Sequence, residues 1–249
     1  MCYHFKDEDT QDYIDSFVKQ HSIKSYTHRR VRYYINGFNH SRCVVLKQGA
    51  DELAELEWGL IPFWVKTEEE AKEISNRTLN AKSETVFQLP SFRNCIKKQK
   101  CLIIANGFYE WRHIDSKKKI PYLIGVRDPN REDTFYPFTF GGIFDKWVNK
   151  DTGEVHETFA IITTPANAMM EIIHNSKKRM PLIIPDDRQN EWLSATDPVS
   201  IQALMQPFPA NRMIAHPISK LVSQLRVERN VPEVITGEQY AEVNFSEFL

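Results

Sequence analysis

The run Cys101-Leu-Ile-Ile-Ala-Asn-Gly-Phe-Tyr-Glu-Trp111, followed by Asp115-Ser-Lys-Lys-Lys119 and then by Pro121-Tyr-Leu-Ile-Gly-Val126, decides the fold class. Two β-prone segments flank a short polar loop, which is the pattern of an antiparallel hairpin. Working outward, similar runs predict strands over Tyr136 to Phe144 and Phe159 to Thr163, and upstream over Val31 to Ile35, Arg42 to Leu46 and Leu53 to Leu60. A turn at Gln48-Gly49-Ala50-Asp51 joins the last two. Helical spacing appears at the edges of this strand-rich centre. Tyr13, Ile14, Phe17 and Val18 follow Thr10, a candidate N-cap, so Asp9 to His21 reads as an amphipathic helix covering a sheet face. Further helices are expected over Ala166 to Ile173, Asp187 to Leu193 and Val199 to Met205. Strands and helices do not alternate as βαβ units, so the expected class is α+β with curved, mainly antiparallel sheets.

The chain has 249 residues, 41% of them hydrophobic and 26% charged, which supplies a sizeable core and excludes disorder and collagen-like repeats. No Gly/Ser stretch separates two halves and no internal repeat is present, so residues 1–249 are expected to form one domain. Lys plus Arg number 32 and Asp plus Glu 33, giving a net charge of −1. Any nucleic-acid contact must therefore use a local patch. Candidates are Lys97, Lys98 and Lys100, and Lys117 to Lys119, each of which also reads as a solvated loop. No apolar run is long enough for a membrane span, and the polar stretch Lys6 to Asp12 is no signal core, so the cytoplasm is the expected location, with no membrane partner. Cys2, Cys43, Cys95 and Cys101 lack metal or redox spacing, and Cys95 and Cys101 read as buried, inert thiols. The eight histidines show no metal-binding spacing and no Gly-rich phosphate loop occurs, so no metal and no cofactor are expected.

Several residues could carry chemistry. Removal of Met1 would leave Cys2 as the amino terminus, placing an amine and a thiol on adjacent carbons with ordinary pKa values of about 8 and about 8.5. Such a pair captures an aldehyde as an imine and closes it to a thiazolidine, or attacks an amide through sulfur; the plain alternative is an incidental cysteine in a mobile end. Trp58-Gly-Leu-Ile-Pro-Phe-Trp64 offers either core indoles or a platform on which unpaired bases stack. Asn80-Ala-Lys-Ser-Glu-Thr85 brings amide, ammonium and carboxylate together, as a capped turn also would. Glu110, between Tyr109 and Trp111, is an acid/base candidate if burial raises its pKa, and otherwise a partly exposed strand residue. His174 precedes Lys177, Lys178 and Arg179, which suits phosphate contact and proton transfer, although a lone histidine is commonly structural.

Taken in order, Met1-Cys2, Trp58 to Pro62, Asn80 to Thr85, Gly107 to Trp111, Thr163-Thr-Pro-Ala-Asn167 and His174 to Pro181 resemble the SOS response-associated peptidase (SRAP) family. The resemblance spans Cys2 to about Pro185. It implies a single α+β domain with barrel-like sheets, the segment from about residue 225 being peripheral, that binds single-stranded DNA and links its N-terminal cysteine to the aldehyde of an abasic site. On that basis Cys2 supplies both nucleophiles, Asn80 contacts the opened sugar, Glu110 is the catalytic carboxylate and His174 the catalytic histidine. His4, Trp58, Trp64, Lys82, Trp111, Lys177 and Arg179 are the expected DNA contacts, and the expected state is a monomer.

Three departures stand out. The family has arginine where this chain has His4 and Lys82, which weakens bidentate phosphate contact. In the family's His-x-Arg-Met-Pro motif one residue separates His and Arg, whereas His174 and Arg179 enclose Asn175 to Lys178, so either a longer loop aims His174 inward or Lys177 takes the histidine's place. A thiol peptidase with Cys2 as nucleophile and a noncovalent single-strand binder are the competing functions.

Overall fold

Cys101, Ile103 and Ala105 face one apolar cluster while Leu102 and Ile104 face another, the two-residue period of a strand buried on both sides. Its apolar run is continuous for that reason. The computed structural model describes residues 2–8, 10–24, 31–131 and 133–243. Its first strands are β1 (His4–Glu8), β2 (Val31–Asn36), β3 (Arg42–Lys47), β4 (Leu53–Trp58), β5 (Asn80–Lys82), β6 (Lys100–Ala105) and β7 (Gly107–His113). There follow β8 (Lys119–Arg127), β9 (Phe135–Tyr136), β10 (Phe138–Val148), β11 (Val155–Pro165), β12 (Arg179–Pro181), β13 (Ile183–Ile184) and β14 (Met213–Pro217). The helices are α1 (Gln11–Gln20), α2 (Glu68–Arg77), α3 (Cys95–Lys98), α4 (Ala168–Ile173), α5 (Gln189–Ser194) and α6 (Pro198–Leu204).

Strands β11, β4, β3, β6 and β10 pair in that order, and pairing of β10 with β11 closes the ring into a barrel. A second sheet runs β14-β8-β7-β1-β2. The fold is thus α+β and mainly antiparallel, with parallel pairing where β11 meets β4 and β5. The barrel interior and the facing side of the second sheet share one core, including Val45, Trp58, Phe140 and Phe159 from the barrel and Phe5, Phe108 and Ile124 from the sheet. On the barrel's outer side, Tyr13, Ile14 and Phe17 of α1, Trp192 of α5, and Ile201 and Leu204 of α6 cover Leu46, Leu102 and Ile162.

The expected strand Cys101 to Trp111 is two strands in different sheets. The chain leaves the barrel at Asn106, whose side-chain oxygen accepts from Lys6 Nζ at 2.6 Å, and enters the second sheet at Gly107. A Cβ at Gly107 would sit 2.9 Å from the Leu123 side chain, which would have to move to admit one where β7 packs on β8. Pro137 similarly divides Tyr136 to Phe144 into β9 and β10. The strand expected to reach Leu60 stops at Trp58, because Gly59 adopts a φ of 124°. The four predicted helices are present with ends shifted by at most two residues; Thr10 caps α1 by accepting from Tyr13 N, and Asp9 lies outside the described residues. α2 was not predicted, since only Ala71 and Ser75 of its ten residues are buried and no apolar period exists. Its legible signal is the capping box formed by Thr67 and Glu70. Among the described residues no helix is long and apolar enough to cross a membrane.

Candidate active site

The site forms where the amino terminus meets the ends of three other segments. β1 lies between β2 and β7, with Phe5 opposite Phe108, and this holds the preceding Cys2 in the core rather than in a mobile end. Cys2 is fully buried. Its carbonyl accepts a hydrogen bond from Asn80 Nδ2 at 2.8 Å, and its Sγ lies 3.6 Å from the His4 carbonyl. Asn80 begins β5, which is fixed by parallel pairing with β11, Asn80 opposite Ile161. The Asn80 Oδ1 is buried and makes no hydrogen bond among the described residues, leaving an acceptor beside the backbone of Cys2.

Glu110 and His174 come together at the same place. Glu110 shares a face of β7 with Phe108 and is buried, which pushes its carboxyl up to about 8. His174 caps the C-terminus of α4, a helix started by Asn167, whose side chain accepts from Met170 N at 2.9 Å. The His174 Nδ1 is 2.8 Å from the carbonyl of Arg179 and 3.6 Å from Glu110 Oε1. A carbonyl only accepts, so Nδ1 carries the hydrogen and Nε2 the lone pair. Burial above all, with nearby positive charge, lowers the imidazole to about 4. At neutral pH the pair is therefore an uncharged acid beside an uncharged base. Burial and the neighbouring Glu110 also push the Cys2 thiol well above its ordinary value.

A cleft of about 880 Å³ opens beside Glu110 and His174. Lys117, Lys119, Lys177, Lys220 and Arg229 line it, against Glu110 as the one lining carboxyl among the described residues, so it is locally basic in a chain of net charge −1. Its aromatic wall is a stack: the His4 ring lies 5.2 Å from Tyr34 and meets the edge of Trp111 at 5.4 Å. Trp111 Nε1 donates to Ser223 Oγ at 2.8 Å. Burial, reinforced by Arg229, lowers His4 to about 4, so it stands in the wall as a neutral ring rather than a cation. The insertion at 175–178 resolves as a tight turn in which the His174 carbonyl accepts from Lys178 N at 2.8 Å and Lys177 N at 3.2 Å. His174 points to Glu110, while Lys177 is exposed on the cleft rim.

Other expected contacts lie elsewhere. Trp58 is fully buried, donates through Nε1 to the Leu79 carbonyl at 2.8 Å and packs on Phe5 and Phe159; it is a core residue and corrects the expectation of a DNA contact. Arg179 is also not a free cation: it pairs with Glu84 and donates to Thr163 O at 2.6 Å, with 11% of its side chain exposed. It ties β12 to β11 and thereby sets the carbonyl that orients His174. Trp64 and Lys82 are exposed but do not line the cleft. Lys100 is buried, donating to Gln48 and Ala195, and Cys95 and Cys101 are buried thiols. Tyr34, Lys220 and Arg229, which sequence reasoning did not single out, enter from β2 and the C-terminal segment and carry no local motif.

The sequence model of the SOS response associated peptidase (SRAP) family matches residues 1–225. This chain belongs to that family. Among its SRAP relatives, Abasic site processing protein YoqW of Bacillus subtilis is 39% identical over 194 residues, covering 77% of this chain and 80% of that protein. Abasic site processing protein HMCES of Gallus gallus is 30% identical over 208 residues, covering 76% of this chain and 60% of its own length. A crystal structure of a protein from Bacteroides thetaiotaomicron superposes with a TM-score of 0.81 at 34% identity, covering 96% of this chain and all of that one. The SRAP relationship and the barrel agree with the resemblance drawn from the motifs.

Proposed function

We propose that this protein binds single-stranded DNA and, after removal of Met1, joins Cys2 to the aldehyde of an abasic site as a thiazolidine. The reading rests on one observation above the others: the buried residue 2, held by Asn80, lies close enough to Glu110 to feel its charge, and Glu110 and His174 pair where they line a basic cleft. The relatives named as abasic site processing proteins support it. In the proposed sequence the amine of Cys2 attacks C1 of the ring-opened sugar. The carbinolamine loses water to give an imine, and the sulfur then adds to the imine carbon while the thiol proton passes to the nitrogen as the C=N double bond becomes single, for a net release of one water. The amine acts first because the buried thiol is held protonated. Glu110, protonated at neutral pH, is placed as the general acid for sugar opening and departure of water, and neutral His174 as the base. Asn80 Oδ1 is the acceptor for a sugar hydroxyl. Lysines 117, 119 and 177 supply phosphate contacts and Trp111 a stacking surface, with exposed Trp64 and Lys82 serving strand beyond the cleft.

The test compares two single strands that differ only at the abasic carbon, one an aldehyde and one reduced to the alcohol. The aldehyde strand is expected to give a heat-stable adduct on a denaturing gel and the alcohol strand none. Equal adduct from both overturns the reading.

A further inference from the structure

The cleft wall is completed by one residue beyond the stretch that the family model matches, Arg229. The segment following Leu225 is anchored by the buried Val234, and Asn230 Oδ1 accepts from Tyr34 N at 3.4 Å. Immediately before these anchors Arg229 is held in a defined pose. Its guanidinium lies 4.3 Å from the Tyr34 ring centroid, and Nη1 donates to the Tyr34 hydroxyl at 2.8 Å.

What distinguishes Arg229 is the absence of a counter-charge. Arg32 and Arg179, also half-buried, are each matched by a carboxylate, Asp7 and Glu84. Arg229 has no such partner among the described residues, and its hydrogen bond to Tyr34 uses one of the five donors a guanidinium presents. The remaining donors form the flat fork that matches phosphate oxygens, and stacking on Tyr34 orients the plane in advance. Tyr34 stacks in turn on His4, so the guanidinium extends the aromatic wall on which a strand would lie.

We infer that Arg229 binds a phosphodiester of the strand seated in the cleft, making the C-terminal segment part of the DNA-binding surface. The inference rests on the reading of the cleft as a single-strand site. Because His4 is neutral, Arg229 is the cation that this part of the wall contributes.

The experiment is a salt titration of noncovalent binding, using full-length protein and a short intact single strand that offers no aldehyde. Arg229→Ala is expected to bind about tenfold more weakly near physiological salt. Its plot of log affinity against log salt should be shallower by about 0.7, the contribution of one phosphate contact on a single strand. Arg229→Lys should restore the slope but only part of the affinity, and Tyr34→Phe, which keeps the ring and removes the hydroxyl, should keep the wild-type slope. A wild-type slope in Arg229→Ala, with or without lost affinity, overturns the inference by showing a packing role. Wild-type protein that fails to bind the strand overturns the cleft reading itself, and with it this inference.

Discussion

Trp58 and Trp111 each lie in a β-prone segment with a glycine nearby in sequence, yet they serve different parts of the molecule. Trp58 ends β4 and points into the closed barrel, where Phe5 and Phe159 enclose it. Trp111 is carried by β7 into the open second sheet and faces His4 and Ser223 across the cleft. Both regions are densely packed, but the barrel buries carbon and the cleft buries ionisable groups. Aromatic content alone does not identify a site; the sheet to which a strand is passed does.

The largest contrast should appear in stability. Trp58→Ala is expected to destabilise the fold by about 3–5 kcal/mol, the usual range for a large aromatic deleted from a core. Urea unfolding measures this directly, and the loss should be the same at pH 6 and pH 8.5. Glu110 should behave differently. Its carboxyl keeps a proton up to about pH 8 in the fold, against an ordinary value of 4.5. The folded state therefore binds more protons across that window, and stability must fall as pH rises through it. Glu110→Gln should flatten this decline, and unfolding curves with an unchanged slope would place the charge elsewhere.

The same substitution should slow adduct formation while leaving noncovalent affinity near wild type, because shape is kept and proton transfer is lost. In wild-type protein a descending limb near pH 8 is expected in the rate profile, and Glu110→Gln should lack it. Single-turnover rates across pH check both statements. Trp111→Ala should cost about 1–3 kcal/mol of strand affinity, the scale of a base stacked on an indole. Fluorescence anisotropy would register this loss, together with near-normal stability, the reverse of the Trp58 result. The smallest effect is assigned to Trp64→Ala, which should weaken long strands but leave oligonucleotides short enough to occupy only the cleft unaffected; equal losses for both lengths would bring Trp64 into the cleft.

Much of the fold was legible because β-strands buried on one or both faces write their period into the sequence. The hairpin of β7 and β8 and the helix capped by Thr10 are examples. The break at Asn106 was not, since it depends on Lys6 from a distant strand. Helix α2 was hidden because a polar helix that buries only Ala71 and Ser75 leaves no stripe. In the site, Cys2, Asn80, Glu110 and His174 were readable as motifs, and the structure gathers them. Their environment was not: burial of Glu110 and the positions of Tyr34 and Arg229 arise from contacts between segments far apart in sequence. Trp58 and Arg179 show the converse, residues within recognisable motifs whose partners turn them inward.

The central claim is that the amine and thiol of Cys2 act together beside the Glu110 and His174 pair, and intact-mass measurement of protein incubated with an abasic single strand tests it most directly. Wild-type protein lacking Met1 should gain the mass of the oligonucleotide less one water and keep it through heating without reductant. Cys2→Ser, which retains the amine but cannot form the sulfur ring, should survive heating only after borohydride treatment, and Cys2→Ala should behave likewise. A heat-stable adduct in Cys2→Ala without reductant would contradict the account.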